Sequence, residues 1–483
     1  MKENHSKSRA EEYILKNKDK IKDLYRPQYH FVTQVGWLND PNGMCFYRGE
    51  YHLFYQYHPY SEEWGPMYWG HAKSDNLCNW IHLPIALAPD SEYDKNGCFS
   101  GTALVEDDEI KLMYTGNLIV DLENKKYRQV QNIAVSKDGI NFNKYEHNPV
   151  IDTDEIPKEA NIFDFRDPKI FKNNDKYYVV IGSKSSDNEG QVLFYESDDM
   201  KKWKYLSKFS LPNMGEMWEC PDFFEIDDKS IMIFSPINKE TENLKFQNSN
   251  PNVYIIGEFN YDTGEFKEEY IGELDSGFDF YAPQALIDSN GRVIVMAWAN
   301  TWETEQIPKR ESLGWNGIMT IPREVTLSNN KLMLTPVSEL DTYFKKVYSV
   351  DNILEINNPV NEYTKDFKGK KAGRIKFKIS NSEKENIIHL CTKEDNKVSI
   401  HLSKSKLFIE KKSELEHLKR ELELTENMDE ILEFDILIDN SIIEIFINNG
   451  ELSFTSRLFF EYNSIIDFET INGIISDIKI YYN

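Results

Sequence analysis

Long apolar runs are missing from this chain. The longest, Val293 to Ala299, has seven residues, against the roughly 20 that a membrane-crossing helix needs. Cysteine is scarce: Cys45, Cys78, Cys98, Cys220 and Cys391 are odd in number, scattered, and never spaced as Cys-x-x-Cys. That argues against a disulfide framework and for a reducing compartment. The first 20 residues carry charge but no apolar core, so no secretion signal is read there and the expected location is the cytoplasm. Positive charge is in deficit, with 56 Lys and Arg against 81 Asp and Glu and a formal net charge of −25. Nucleic acid and membrane surfaces are therefore not expected as partners, because phosphates demand basic clusters. The chain has no His-Glu-x-x-His, Gly-x-Gly-x-x-Gly or phosphate-loop pattern. His52, His58, His71 and His82 lack a ligand-like grouping, so neither metal nor cofactor is expected, and His58 and His71 read as partners for core polar groups. A homo-oligomer stays open.

At 483 residues the chain is too long for one compact core. Ser8 and Glu11 form an S-x-x-E capping box for a short helix running to about Leu24, and Pro27 ends it. Helical periodicity then vanishes for about 300 residues, replaced by short strands between Gly, Asn and Asp turns. The expected organisation is a helical segment over 1–28, a strand-rich unit over 29–335, a linker or helical crossover over 336–352, and a second all-β unit over 353–483.

The first β unit repeats itself. Five strands are alike: YHLFYQY from Tyr51, KLMYTG from Lys111, YYVVIG from Tyr177, SIMIFS from Ser230 and VIVMAW from Val293. About a dozen residues before the middle of each stands a motif: NDPNG, FSGT, FRDPK, ECPDFF and YAPQ. After three of the strands a turn precedes an aromatic residue, in SDNLCNW, SKDGINF and SDDMKKW, with Asp262-Thr263-Gly264 before Phe266 as a weaker fourth. All-strand repeats of this length predict a five-bladed β-propeller with about four strands per blade. An irregular array of β-sandwiches is the alternative. In a propeller the innermost strands face the axis, so the five motifs converge at one mouth of the central channel. The second unit, with its alternating strands and its turns at Asp439-Asn440 and Asn448-Asn449-Gly450, predicts a sandwich of two antiparallel sheets with a structural role.

Three acids share the same position in their repeats: Asp40, Asp167 and Glu219. Glycosidic bonds are cleaved by two carboxyl groups, one ionised and one protonated. Asp40 lies between Asn39 and Pro41-Asn42, whose amides favour the ionised form. Asp167 follows Arg166, a guanidinium expected to hold it anionic. Glu219 stands among Trp218, Cys220 and Pro221, an apolar setting that favours the protonated form. Any of the three, taken alone, reads first as a turn or surface acid, and the shared position in the repeat is what singles them out. Asp94, Asp164, Glu216 and Asp222 lie near the same motifs without sharing the phase.

WLNDPNG, FRDP and ECP, in this order and spacing, resemble the invertase or β-fructofuranosidase family, glycoside hydrolase family 32. The resemblance continues through QYHP at Gln56, WG at Trp64 and Trp69, FSGT at Phe99, DFYAPQ at Asp279, IDNSIIEIFINNGE in the second unit, and TSR at Thr455, nearly the whole chain. It implies a five-bladed propeller followed by a β-sandwich, and retaining hydrolysis of terminal β-D-fructofuranosides. It implies Asp40 as nucleophile, Glu219 as acid/base, and Asp167 as transition-state stabiliser with Arg166. Asn39, Gln56, Trp64, Phe99, Ser100, Tyr281 and Trp298 match sugar-contacting positions. Tyr68 departs from the His that relatives often carry there, a change expected on the leaving-group side. The implied substrates are sucrose 6-phosphate, sucrose or short fructans, with Lys309 and Arg310 as a candidate phosphate site or an ordinary solvated basic pair. A sugar-binding propeller without catalysis is the alternative from another class, and an assay on sucrose separates the two.

Overall fold

The computed structural model describes residues 5–124, 126–350, 371–380, 383–404, 406–422, 424, 431–470 and 472–483. These residues form an almost wholly β protein with short helices. The first helix, Lys7–Asn17, is capped by Ser6, whose hydroxyl accepts the Arg9 N–H. The cap expected at Ser8 is thus two residues early, and a 3₁₀ turn at Lys18–Lys20 follows where the helix was expected to run on. Asn17 bonds back to the Tyr13 carbonyl, a local competitor that ends the α-helical ladder.

Five sheets follow in chain order. Their first strands are Gly36–Tyr47, Cys98–Glu106, Ala160–Asn173, Met217–Ile226 and Tyr281–Ile287. Each first strand pairs antiparallel with the strand after it. Each also packs against the first strand of the next sheet, and the fifth packs against the first, so the five make a closed ring. A two-residue strand, Trp315–Asn316, leaves the fifth sheet's connecting loop and pairs parallel with Gly36 and Trp37 of the first sheet, sealing the ring. The repeated turns share one device. Asn76, Asp138, Asp199 and Asn260 each turn a side-chain oxygen back onto backbone N–H groups two and three residues ahead.

A β-bulge interrupts all five first strands near the same level, at Leu38–Pro41, Phe99–Gly101, Arg166–Lys169, Glu219–Asp222 and Tyr281–Gln284. Three of these bulges use positive φ, at Asp167 (65°), Cys220 (47°) and Ala282 (51°), and a second irregularity in the first strand, between Asn42 and Cys45, uses it at Gly43 (52°). In the second strand Gly101 approaches so closely that a Cβ would stand 2.0 Å from the Met113 carbonyl oxygen. Bulges re-aim side chains out of the pleat, and here they do so toward the ring's interior.

The remaining strands form a six-stranded and a five-stranded sheet whose apolar residues, among them Ile375, Phe377, Ile388 and Ile400, share one core. Its first strand is Lys346–Val350, paired with Ile475–Tyr482. The expected linker over 336–352 therefore already contains a strand of the second unit, and the boundary expected at 353 lies outside the described residues.

A dry charge cluster joins the units. Arg323, fully buried, donates to Asp275 at 2.8 Å and to Glu444 at 2.7 Å. Glu444 also faces His30 Nε2 at 3.0 Å, and His30 Nδ1 faces Asp439 at 3.0 Å. Burial opposes a charge on His30, but hydrogen bonds and charge from Asp439 and Glu444 prevail, so its pKa is raised above 6.5. Such a group stabilises the fold fully below its unfolded pKa, and the gain is lost as pH rises through the folded value. The unfolding temperature should therefore decline as pH rises above about 6.5 in the native protein and be flatter in His30→Gln. Glu444→Gln, which removes one of the two buried carboxylates that balance Arg323 and takes the negative partner from His30 Nε2, should cost about 3–5 kcal/mol in urea unfolding. A loss under about 1 kcal/mol would show that the cluster does not hold the units together.

Candidate active site

The bulges bring the acids into one pocket. Its volume is about 250 Å³, and Asn39, Asp40, Gln56, Trp64, Phe99, Ser100, Arg166, Asp167, Glu219 and Trp302 line it. A larger cavity, about 370 Å³, opens at the far end of the inner strands among Met44, Val105, Ile170, Phe224 and Leu286, and Glu225 is the one carboxyl group in its lining. Of these two cavities, the first is the one that gathers several carboxyl groups.

Asp40 is 8% exposed. Ser100 Oγ donates to its Oδ2 at 2.7 Å and Asn39 Nδ2 to its Oδ1 at 3.0 Å. Trp37 Nε1 in turn donates to Asn39 Oδ1 at 2.8 Å, which fixes the amide's orientation. Asp167 accepts the Cys220 N–H at 3.0 Å, and its own N–H donates to Thr115 Oγ1 at 2.9 Å. The Cys220 thiol lies between the two acids, 3.4 Å from Asp40 Oδ2 and 3.7 Å from Asp167 Oδ2.

Arg166 corrects two expectations. Its guanidinium turns to Glu219 Oε1, through Nη2 at 2.8 Å and Nε at 3.1 Å, and to Asp164 at 2.9 Å, and makes no hydrogen bond to Asp167. Glu219 also accepts the Tyr281 hydroxyl. Its carboxyl group is thus in a polar setting, while neighbouring Trp218 points away and stacks on Phe234 at 3.9 Å. Consecutive residues in a strand face opposite ways, so sequence neighbours are poor guides to a side chain's surroundings.

Electrostatics follow from burial. Asp40 is raised above an ordinary carboxylate by desolvation, held back by the Ser100 bond, and raised further by the charge of Glu219. Asp167 is raised by desolvation, with Arg166 opposing and Glu219 adding to the rise. Asp40 and Asp167 therefore hold a proton more readily than an exposed carboxylate does.

Other expected residues fall into place differently. Gln56 is buried and donates to the Cys98 carbonyl at 3.0 Å. Trp298 is fully buried behind the pocket, edge-on to Trp37, Tyr281 and Trp302. Tyr68 is fully buried too, with its hydroxyl 3.0 Å from His5 Nδ1, and is not among the residues lining the pocket. Lys309 pairs with Glu63, and Arg310 with Glu305 at 2.7 Å and Glu311 at 3.2 Å. Asp222 and Asp94 are buried partners of Lys169 at 2.8 Å and Lys144 at 2.6 Å, and Glu216 is exposed. Two residues were missed. Asp164, set aside as a bystander, anchors Arg166. Trp302, which reaches the mouth from a loop, carries no motif beyond its place four residues after Trp298.

The model of the glycosyl hydrolases family 32 N-terminal domain matches residues 30–336, and that of the family 32 C-terminal domain residues 335–481. The chain belongs to glycosyl hydrolase family 32. Among relatives, a sucrose-6-phosphate hydrolase of Escherichia coli is 35% identical over 93% of this chain and 92% of its own. A GH32 β-fructofuranosidase of Bombyx mori superposes with a TM-score of 0.84, at 35% identity, over 99% of this chain and 97% of that one. A sucrose-6-phosphate hydrolase from Lactobacillus gasseri does so with a TM-score of 0.86, at 27% identity, over 98% and 96%. The family 32 motifs of the second unit also gain a physical reading. Asp439, Glu444, Thr455 and Arg457 are buried at the junction of the units, where Thr455 donates to Asp275 at 2.6 Å and the Arg457 N–H to Asp279 at 2.8 Å.

If Asp40 must be ionised to react, activity falls as pH drops through its raised pKa. Ser100→Ala removes a donor to the ionised form, so the acidic limb of the kcat/KM profile should move up by about one pH unit, the worth of one charge-assisted hydrogen bond. An unmoved limb would mean that Ser100 does not tune Asp40.

Proposed function

We propose that the protein is a retaining β-fructofuranosidase that removes terminal β-D-fructofuranosyl units from sucrose, its 6-phosphate or short fructans. The observation that carries this reading is the meeting of Asp40, Asp167 and Glu219, from three separate inner strands, in one small pocket. The pocket is smaller than the roughly 300–1,000 Å³ of sites that enclose drug-sized ligands, which suits one furanose ring at the end of a chain. A binding module needs no such convergence of acids. The ring of five sheets is read as a five-bladed β-propeller, and the two C-terminal sheets as a β-sandwich. Five buried, unpaired cysteines fit a reducing, cytoplasmic setting.

In this reading Asp40 attacks the anomeric carbon while Glu219 gives a proton to the departing oxygen, leaving a fructosyl ester on Asp40. Glu219 then takes a proton from water, whose oxygen displaces Asp40 and releases fructose with retention. Arg166 and Tyr281 hold Glu219 at the oxygen it serves, by the bonds described above. Asp167, fixed by the Cys220 and Thr115 bonds, accepts from sugar hydroxyls as charge builds on the ring.

Asp40→Asn should lower kcat on sucrose by at least about 10³-fold while leaving the unfolding curve in place. Retained activity would end the nucleophile assignment. Glu219→Gln should lose about 10²–10⁴-fold on sucrose and far less on a fructoside with an activated leaving group. Equal losses on both would remove Glu219 from the proton-donor role.

A further inference from the structure

Two loops build the mouth of the pocket. One follows Glu50–His58 and carries Glu62, Glu63 and Trp64. The other follows Val293–Trp298 and carries Trp302 and the short helix Ile307–Arg310. They are pinned together. The Gly314 N–H donates to Glu62 Oε1 at 2.8 Å, and Asn316 Nδ2 to the Glu62 carbonyl at 3.0 Å. Lys309 Nζ pairs with Glu63, whose carbonyl lies 2.8 Å from His58 Nδ1. The indoles of Trp64 and Trp302, 47% and 42% exposed, are the aromatic surfaces offered to whatever sugar leaves.

The charges of these loops are lopsided. Glu62, Glu63, Glu303, Glu305 and Glu311 stand against Lys309 and Arg310. Both cations already face carboxylates, Lys309 on Glu63 and Arg310 on Glu305 and Glu311. Inside the pocket Arg166 is shared between Asp164 and Glu219. A phosphate carries about −1.5 to −2 charge near neutral pH. Placed at this mouth it would have to displace Glu63 from Lys309 and then sit beside that carboxylate. An uncharged hexose meets no such opposition, and its apolar ring face suits an indole.

We propose that Glu63 makes this site selective for an uncharged leaving sugar over a 6-phosphorylated one, by occupying Lys309 and adding like charge where a phosphate would sit. This rests on the fructosidase reading above. The test compares kcat/KM on sucrose and on sucrose 6-phosphate for the full-length native protein, Glu63→Gln and Lys309→Met. The native protein should favour sucrose by about tenfold or more, a discrimination built on repulsion. Glu63→Gln should narrow that ratio about fivefold, through KM for the phosphate, and added salt should narrow it in the native protein as screening grows. Lys309→Met should not lower turnover of the phosphate selectively. A native preference for sucrose 6-phosphate, an unchanged ratio in Glu63→Gln, or a selective loss of phosphate turnover in Lys309→Met would overturn the proposal while leaving the fructosidase reading intact. Hydrolysis of neither sugar would overturn both.

Discussion

Carboxylates repel one another, and this molecule spends much of its architecture on keeping several of them together. Each sits on a different inner strand, and each strand breaks its pleat at the same level to present it. Left-handed backbone at Asp167 and Cys220 is an uncommon conformation for residues with a Cβ, of order 1–3 kcal/mol each. Packing on both sides of every inner strand holds that geometry in place. The bulge at Cys220 does two things at once: its N–H binds Asp167 and its thiol fills the space between Asp167 and Asp40. Ring closure is therefore a condition of the chemistry, since an open ring would let the like charges move apart.

Arg166 sets the second condition. It is the single cation in the pocket lining, and it is not spent on its sequence neighbour. By bridging Asp164 and Glu219 it anchors the group assigned to proton transfer, and Tyr281 holds that group's other oxygen. Asp40 and Asp167 receive neutral donors instead. Two acids with polar but uncharged partners and one with a guanidinium is an asymmetry, and asymmetry lets like groups take different roles.

Much of this was legible in the sequence, and the failures share a cause. Repeating strands, turn residues and motif phase are one-dimensional signals, and they placed Asp40, Asp167 and Glu219 correctly relative to one another. The turn echo was readable because an Asx turn needs only its own side chain and the next few N–H groups. Partner choice was not readable. Arg166 beside Asp167, and Trp218 beside Glu219, looked decisive in a linear reading, yet alternation along a strand sends neighbours to opposite sides. Trp298 and Trp302 are four residues apart, and only the fold makes one a wall and the other a surface. Lys346–Val350 looked like a linker because its pairing partner lies at the far end of the chain.

The short parallel pairing of Trp315 and Asn316 with Gly36 and Trp37 belongs to the same loop that brings Trp302 and Lys309 to the mouth. Closing the barrel-like annulus and finishing the entrance are consequently one event. A chain ending at Glu219 would hold all three acids and the Trp64 loop but would lack the Trp302 side of the mouth and the strand that closes the ring. The entrance is thus shared between an early loop and a late one, joined by the Glu62 bonds to Gly314 and Asn316.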